Sequence, residues 1–498
     1  MPRHNRVHHP HSQAVTPNET RNSELPDDME DGSADVERQV HIIILRNDED
    51  YQRLRDWATA NGFHLAGEIP RLHALKFILT DSEYERVLRD SGVEATEELD
   101  ALVCIPDQLL DKYPEWTGYP GPAFGNAYRS YLGVDTTDAE RGHGVTIAML
   151  VTPIFSHLAI KNAQITIIGD QADTPQTDIA DHGTAVASIL TGTNGISNAK
   201  ILAYGVLDAE TGNGSAFDLA AAIVDAVDRG VDVISMSLGT YADASVLQDA
   251  VNYALAHQVL LVASAGNNGV EDVCYPAAYE GVLAVGAIDA NGNVSGFSNY
   301  GEALDLVAPG VGLQAATFDD EYQLFSGTSA AVPCVTAVLA NYLSANPDIS
   351  PAEAYTRLLL NCTDTEAPGF DAISGYGILD AERIAEQDEH GIYDAAAGGI
   401  TLDDTTNTLT VAAQNTGTAA IGKLVLTTEI LGVELVNEFE NVAPGTIVSA
   451  QGNLPDEVWA STDVLTIHTT VSTPDVTDAR QRNQTHRQTF EAPAPSDQ

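Results

Sequence analysis

Between Gly144 and Arg383 short apolar runs alternate with amphipathic helical stretches, and this alternation leaves the chain very few architectures. VTIAML, AKILAYGVL, VDVISMSL, VLLVASA and VLAVGAI are rich in branched residues and lack inside–outside alternation, as strands buried on both faces do. FDLAAAIVDAVDR, closed by Gly230, is one of the helices between them. Buried strands connected through helices run parallel, with helices on both faces of the sheet. An α/β domain over 115–385 is therefore expected, with its cleft at the carboxyl ends of the strands.

The flanks read differently. Residues 1–38 have no hydrophobic period and are expected to be a disordered tail. HIIIL then begins a strand, followed by a helix with Tyr51, Leu54, Trp57 and Ala58 on one face. A strand in ALKFIL and a short helix over Tyr84, Val87 and Leu88, stopped by Gly92, complete a small α+β domain at 39–100, with a linker at 101–114. After EQDEHG the segments NTLTVAAQ, GKLVLTTEIL and DVLTIHTTV alternate threonine with aliphatic residues between NTGT and APGT turns. That pattern predicts a small antiparallel β-sandwich at 395–490.

Composition narrows the partners. Seventy-two acidic against 23 basic residues give a formal charge of −49, which argues against nucleic acid or an anionic membrane and reads as a solvated acidic surface. No apolar stretch in the sequence is long enough to expect a membrane span. The N-terminal MPRHNRVHHPHSQ lacks the apolar core of a secretory leader, so a cytoplasmic place is the default expectation. The cysteines, Cys104, Cys274, Cys334 and Cys362, show no CxxC pair and predict neither a zinc site nor a disulfide framework; buried thiols are expected, with room for one long-range disulfide.

Three polar residues fall where loops meet helices or strands end. In SGTSAAVPCVTAVLANYL, Ser329 precedes a helix marked by Val335, Val338, Leu339, Tyr342 and Leu343, so unpaired backbone N–H groups and the helix dipole would favour an oxyanion beside it; a helix cap is the plainer reading. His182 opens the helix of DHGTAVASIL, and Asn267 follows a strand end in LLVASAGNNG. Serine as nucleophile, histidine as base and asparagine as oxyanion donor would together make an acyl-transfer site.

GTSAAVP resembles the nucleophile block of the subtilisin-like serine proteases, DHGTAVASI their histidine block and SAGNNG their oxyanion-asparagine block, in the family's order. ILAYGVLDAETGNGS, GVDVISMSLG, YPAAYEGVLAVGAID, FSNYGEALDLVAPG and SGYGILDAERI extend the resemblance over about 115–383. It implies a subtilisin-like parallel sheet acting as a serine endopeptidase on polypeptide substrates, with Ser329, His182 and Asn267 in the roles just named. Substrate would add as a strand beside Ser237, Leu238 and Gly239 and beside Gly212 to Gly214, with the P1 pocket between Ser237–Gly239 and Ala265, Gly266 and Asn267. VHIIIL, LHALKFILT and DSGVEATEE at 40–100 resemble the family's inhibitory propeptide. By that resemblance it would plug the cleft and be cut between Glu98 and Trp116. The family also implies an extracellular alternative for location.

One block departs. The family's first strand ends in the aspartate that orients the histidine, and GVTIAMLVTPI has Val151 there and Pro153 at the following glycine. Three outcomes are open: a displaced acid, for which Asp178, Asp181, Asp173 and Asp170 are nearest; a dyad with a carbonyl or water in the acid's place; or a pseudoprotease that keeps the cleft for binding. Ala330 and Cys334 are milder departures beside the nucleophile. No cofactor is expected. The turn TGTNGISNAKI is too short and too poor in acids for the calcium loop many subtilases carry there, so no tight calcium site is expected around Asn194.

Overall fold

The computed structural model describes residues 38–491, apart from 94, 107–116, 119, 170–173, 404, 455–457, 459–461 and 463. The expected tail, except Arg38, and most of the expected linker lie outside the described residues. The chain divides into one compact unit ending at Leu99 and another running from Asp100 to Ala492.

The first unit contains β1 (Gln39–Leu45), α1 (Asp48–Ala60), β2 (Leu65–Ile69), β3 (Ala74–Leu79), α2 (Asp81–Ser91) and β4 (Ala95–Leu99), in a sheet of order β2-β3-β1-β4. Tyr51, Leu54 and Ala58 of α1 and Val87 of α2 meet Ile43, Leu75 and Phe77 of the sheet in one apolar core. Thr80 and Glu83 cap α2 reciprocally, and Gly92 ends it in the left-handed region at φ 66°.

The second unit opens with β5 (Leu102–Cys104) and the short α3 (Tyr128–Tyr131). There follow β6 (Thr146–Val151), β7 (Ile165–Ile168), α4 (Asp181–Leu190), β8 (Lys200–Gly205), β9 (Asn213–Ser215), α5 (Ala216–Asp228), β10 (Val233–Met236), α6 (Ser245–Ala256), β11 (Leu260–Ser264), β12 (Val282–Ile288) and β13 (Leu306–Pro309). β14 (Leu313–Ala316) and β15 (Tyr322–Phe325) form a hairpin, followed by α7 (Thr328–Ala345), α8 (Pro351–Leu360) and α9 (Ala381–Glu386).

Seven strands form a parallel sheet of order β13-β12-β11-β10-β6-β8-β7. From β6 the chain crosses to the edge strand β7, comes back to β8 beside β6, and then passes to β10 on the other side. That reversal opens a crevice at the carboxyl ends of β6 and β10. Helix α4 packs with α7, and α5 with α6, giving two helical layers. By length and apolarity α7 would pass for a membrane span, but it is a core helix, buried against strands β10 to β13 and against α4.

The C-terminal part has β16 (Ala395–Asp403), β17 (Thr408–Asn415), β18 (Ile421–Ile430), β19 (Val433–Val442), β20 (Ile447–Asn453), β21 (Val464–Ser472) and β22 (Thr485–Glu491). They make two antiparallel sheets, β16-β17-β20 and β19-β18-β21-β22. Leu402, Leu409 and Val411 of the first meet Leu424, Leu426, Ile467 and Phe490 of the second across a common core. Arg480 ties this part to α9: its guanidinium, 2% exposed, pairs with fully buried Asp394 at 2.7 Å and also with Glu386 and Glu382.

Candidate active site

Ser329 is the second residue of α7, behind Gly327 at φ 127°, a conformation that L side chains rarely adopt. Gly327, not Ser329, is therefore the cap. In a helix the N–H of residue 333 would bond the Ser329 carbonyl, but residue 333 is proline and has none. The Ser237 hydroxyl donates to that carbonyl instead, at 3.1 Å. The Ser329 hydroxyl in turn donates over a long 3.5 Å to the Ser237 carbonyl. The hydroxyl and the carbonyl of Ser329 are thus both held to the segment following β10.

Asn267 is oriented by Thr328, whose N–H and hydroxyl both donate to its Oδ1 at 2.9 and 2.8 Å. This makes the NH₂ the donor end of the amide, next in space to the start of α7. Gly266 before it stands at φ 112°, and a Cβ there would lie 2.2 Å from Asn299 Nδ2, so the turn admits only glycine.

His182 is the second residue of α4. The tip of β6 clasps its turn: Thr152 Oγ1 accepts from Gly183 N–H at 2.8 Å and donates to the Ala180 carbonyl at 3.1 Å. A Cβ on Gly183 would lie 2.3 Å from the Thr152 carbonyl oxygen, so strand tip and helix start are in close contact. Phe325 of β15 meets the imidazole edge to face at 5.5 Å. Among the described residues neither ring nitrogen has a hydrogen-bond partner.

Of the acids nearest in sequence, Asp181 accepts a hydrogen bond from the Thr317 hydroxyl, and burial pushes its carboxyl pKa up. Asp178 is exposed. Neither bonds to His182, and neither does a backbone carbonyl, so the geometry supplies no displaced acid and no carbonyl-assisted dyad among the described residues. Asp170 and Asp173 lie outside the described residues. Val151 is fully buried at the end of β6, with its carbonyl accepting from Val206 N–H at 2.9 Å.

Burial alone lowers the His182 pKa to about 4. Between that value and the roughly 6.5 of an unfolded histidine, the unfolded chain binds more protons than the folded one. The contribution is complete above the unfolded value and is lost as pH falls toward the folded one. Its full size is roughly 3 kcal/mol, at about 1.4 kcal/mol per unit. His486, also buried and lowered to about 4, adds a second such term. His182→Gln should remove up to about 3 kcal/mol of the loss of stability between pH 6.5 and 4, read as urea midpoints at closely spaced pH values. An unchanged slope would mean that the imidazole is already solvated.

The segments expected to bind substrate as a strand are occupied by β5. Leu102, Val103 and Cys104 pair antiparallel with Ser215, Gly214 and Asn213. On the other side Cys104 exchanges both backbone hydrogen bonds with Gly239, at 3.0 and 2.9 Å, and Ile105 N–H donates to the Gly212 carbonyl at 3.3 Å. Between Ser237–Gly239 and Ala265–Asn267 lies Cys274, its N–H on the Ala265 carbonyl and its thiol on the Ser264 carbonyl. Sequence reasoning passed over Thr152, Thr328, Pro333 and Cys274. Thr328 and Pro333 stood inside the quoted GTSAAVP, and the missing N–H of Pro333 was the available signal.

A model of the subtilase family (Peptidase S8) matches residues 142–377. A thermostable alkaline protease of Halalkalibacterium halodurans is 31% identical over 363 residues, which are 71% of this chain and 94% of that protein. Subtilisin Savinase of Lederbergia lenta is 36% identical over 251 residues, 48% of this chain and 90% of its own. The alkaline elastase YaB of a Bacillus strain is 36% identical over 252 residues, 48% of this chain and 64% of its own. With a relative matched along nearly its whole length, and with the parallel sheet and its helices carrying the matched blocks, the chain belongs to the subtilase family of serine proteases and has the subtilisin-like fold.

Proposed function

We propose that the chain is a serine endopeptidase of reduced power that holds its own strand β5 in the substrate lane. Ser329 attacks the scissile carbonyl, His182 takes the proton and returns it to the leaving amine, and Asn267 with the Ser329 N–H holds the oxyanion. The observation that carries this reading is the double tie of Ser329 to Ser237 beside an Asn267 amide already oriented by Thr328. The reduction follows from Val151: among the described residues no carboxylate fixes the imidazole tautomer or steadies the imidazolium. A catalytically silent binding protein is the second reading, favoured by the two unpartnered nitrogens of His182.

A fluorophosphonate probe separates the readings. Wild type should label and Ser329→Ala should not; absence of labelling at every pH would leave the binding protein. In subtilisin, loss of the aspartate costs about 3 × 10⁴ in kcat, and loss of serine alone about 2 × 10⁶, nearly as much as loss of the whole triad. Because these residues act as a unit and the acid is already gone, Ser329→Ala should cost this chain only a further ~10² in amide hydrolysis.

Residues 39–106 act in this reading as the propeptide. Stepping the register on from Cys104 opposite Gly239 sets Pro106 opposite Ser237. Proline lacks the N–H that a substrate would offer the Ser237 carbonyl, so this segment sits in the lane as a poor substrate. Polypeptides with apolar P1 residues are the proposed substrates, and an extracellular place of action suits a subtilase better than the cytoplasmic default.

Calcium does not fit the turn after α4. The carbonyls of Asn194, Gly195 and Ile196, the oxygens such a loop would offer, accept from Tyr128 Oη, from the Arg141 guanidinium and from Asn341 Nδ2. The Arg141 guanidinium, a fixed positive charge, already takes up two of these oxygens. The melting temperature should stay the same with calcium or a chelator present; a rise with calcium that Asn194→Ala abolishes would overturn this.

A further inference from the structure

The pocket wall and the strand in the lane each carry a thiol, and the backbone brings the two together. Cys104 and Cys274 are 2% and 0% exposed and pack on one another beneath Tyr241. Directly opposite residues of an antiparallel pair direct their side chains to the same face, so Cys104 and the vacant side-chain position of Gly239 point the same way. A Cβ built on Gly239 would lie 2.4 Å from Cys274 Sγ and 3.3 Å from Cys274 Cβ. Gly239 thus makes room for the Cys274 sulfur on the side to which Cys104 points. Cys334 and Cys362 are buried elsewhere, each thiol directed to the carbonyl of its own preceding helical turn, at Ala330 and Leu358.

We propose that Cys104 and Cys274 form a disulfide that locks β5 in the substrate lane, so that the reactive serine is released by reduction as well as by cleavage. The proposal rests on the reading of β5 as the occupant of that lane. A small-molecule disulfide such as oxidised glutathione is the oxidant. Cys104 thiolate attacks one of its sulfurs, forming a mixed disulfide and expelling one glutathione thiolate. Cys274 thiolate then attacks the Cys104 sulfur and expels the second. Two protein thiols lose two electrons and two protons, and one small disulfide becomes two thiols. Burial, with Cys104 as neighbour, pushes the Cys274 thiol pKa up, so the exchange proceeds while β5 is lifted and the bond closes as it reseats. A cut after Pro106 would then leave the 39–106 segment attached to the rest of the chain through sulfur.

The test uses the full chain, treated at pH 8.5 with oxidised glutathione or with a phosphine reductant, then alkylated in denaturant and mapped by mass spectrometry. A linked peptide containing Cys104 and Cys274 should dominate after oxidation and be missing from Cys104→Ser. Fluorophosphonate labelling of Ser329 should be at least tenfold slower in the oxidised form, and Cys104→Ser should remove that difference. Four alkylated cysteines after oxidation, or glutathione held on Cys104 without linkage, would overturn the bond. Linkage with equal labelling in both states would overturn the lock. Linkage with no labelling in any form, Cys104→Ser included, would support the bond while removing the reactive serine of the proposed function.

Discussion

Val151→Asp should quicken hydrolysis of a chromogenic peptide amide by about 10²–10⁴, the part of the roughly 3 × 10⁴ triad effect that a carboxylate can recover when it is added to a site not shaped for it. The strand tip already lies against the turn of His182 through Thr152 and Gly183, so the new side chain arrives beside an imidazole whose two nitrogens have no partner among the described residues. A negative charge there favours the protonated ring and lifts its pKa from about 4 toward the ordinary range. The acid limb of the pH–rate profile should move upward together with the gain in rate. Val151→Asn, which can orient the ring but adds no charge, should move that limb far less. Neither variant altering kcat or profile, in a protein that still labels at Ser329, would show that Pro153 turns the strand tip away and that the missing carboxylate is not what limits the enzyme.

Arg480→Ala should destabilise the second unit by about 3–5 kcal/mol, because it leaves Asp394 buried without its cation. Asp394 is fully buried and accepts from Arg480 at 2.7 Å, from Asn483 Nδ2 at 3.0 Å and from the Thr416 hydroxyl. Of these partners only Arg480 is charged. Glu386 and Glu382 of α9 lose the same guanidinium, so the loss reaches the α/β part as well as the β-sheets. Urea unfolding should show a lower midpoint for one cooperative transition. A variant in which the sheets of 395–491 melt first and the α/β transition stays put would mean that the two parts are only loosely coupled. Arg480→Met with Asp394→Leu, which removes both charges and keeps the volume, should recover most of the loss.

The strands of the parallel sheet were legible because burial on both faces demands unbroken apolar runs, and β6, β8, β10, β11 and β12 have them. β7 was passed over. As an outer strand with Ile167 40% exposed it carries too short an apolar run to stand apart from a loop. Ser329, His182 and Asn267 could be named because each sits at a junction between element types, where the local pattern changes sharply. The strand beside Gly239 could not be read from its own residues; only the resemblance implied that a propeptide tail would fill the cleft. Leu102–Cys104 is a three-residue strand inside a linker, and its pairing with residues 213–215 and 239 depends on contacts far along the chain that no local period records. The state of His182 was hidden for another reason: an unpartnered nitrogen is a property of everything around it, and a sequence with 72 acids offers a nominal partner near any histidine.

Pro333 has a bearing on how this protein could be re-engineered. Since the carbonyl it leaves open is gripped by Ser237, the proposed pocket wall and the proposed nucleophile share one mechanical link. Reshaping the first to admit a new residue will displace the second, so altered selectivity should surface as slower turnover and not as weaker affinity alone.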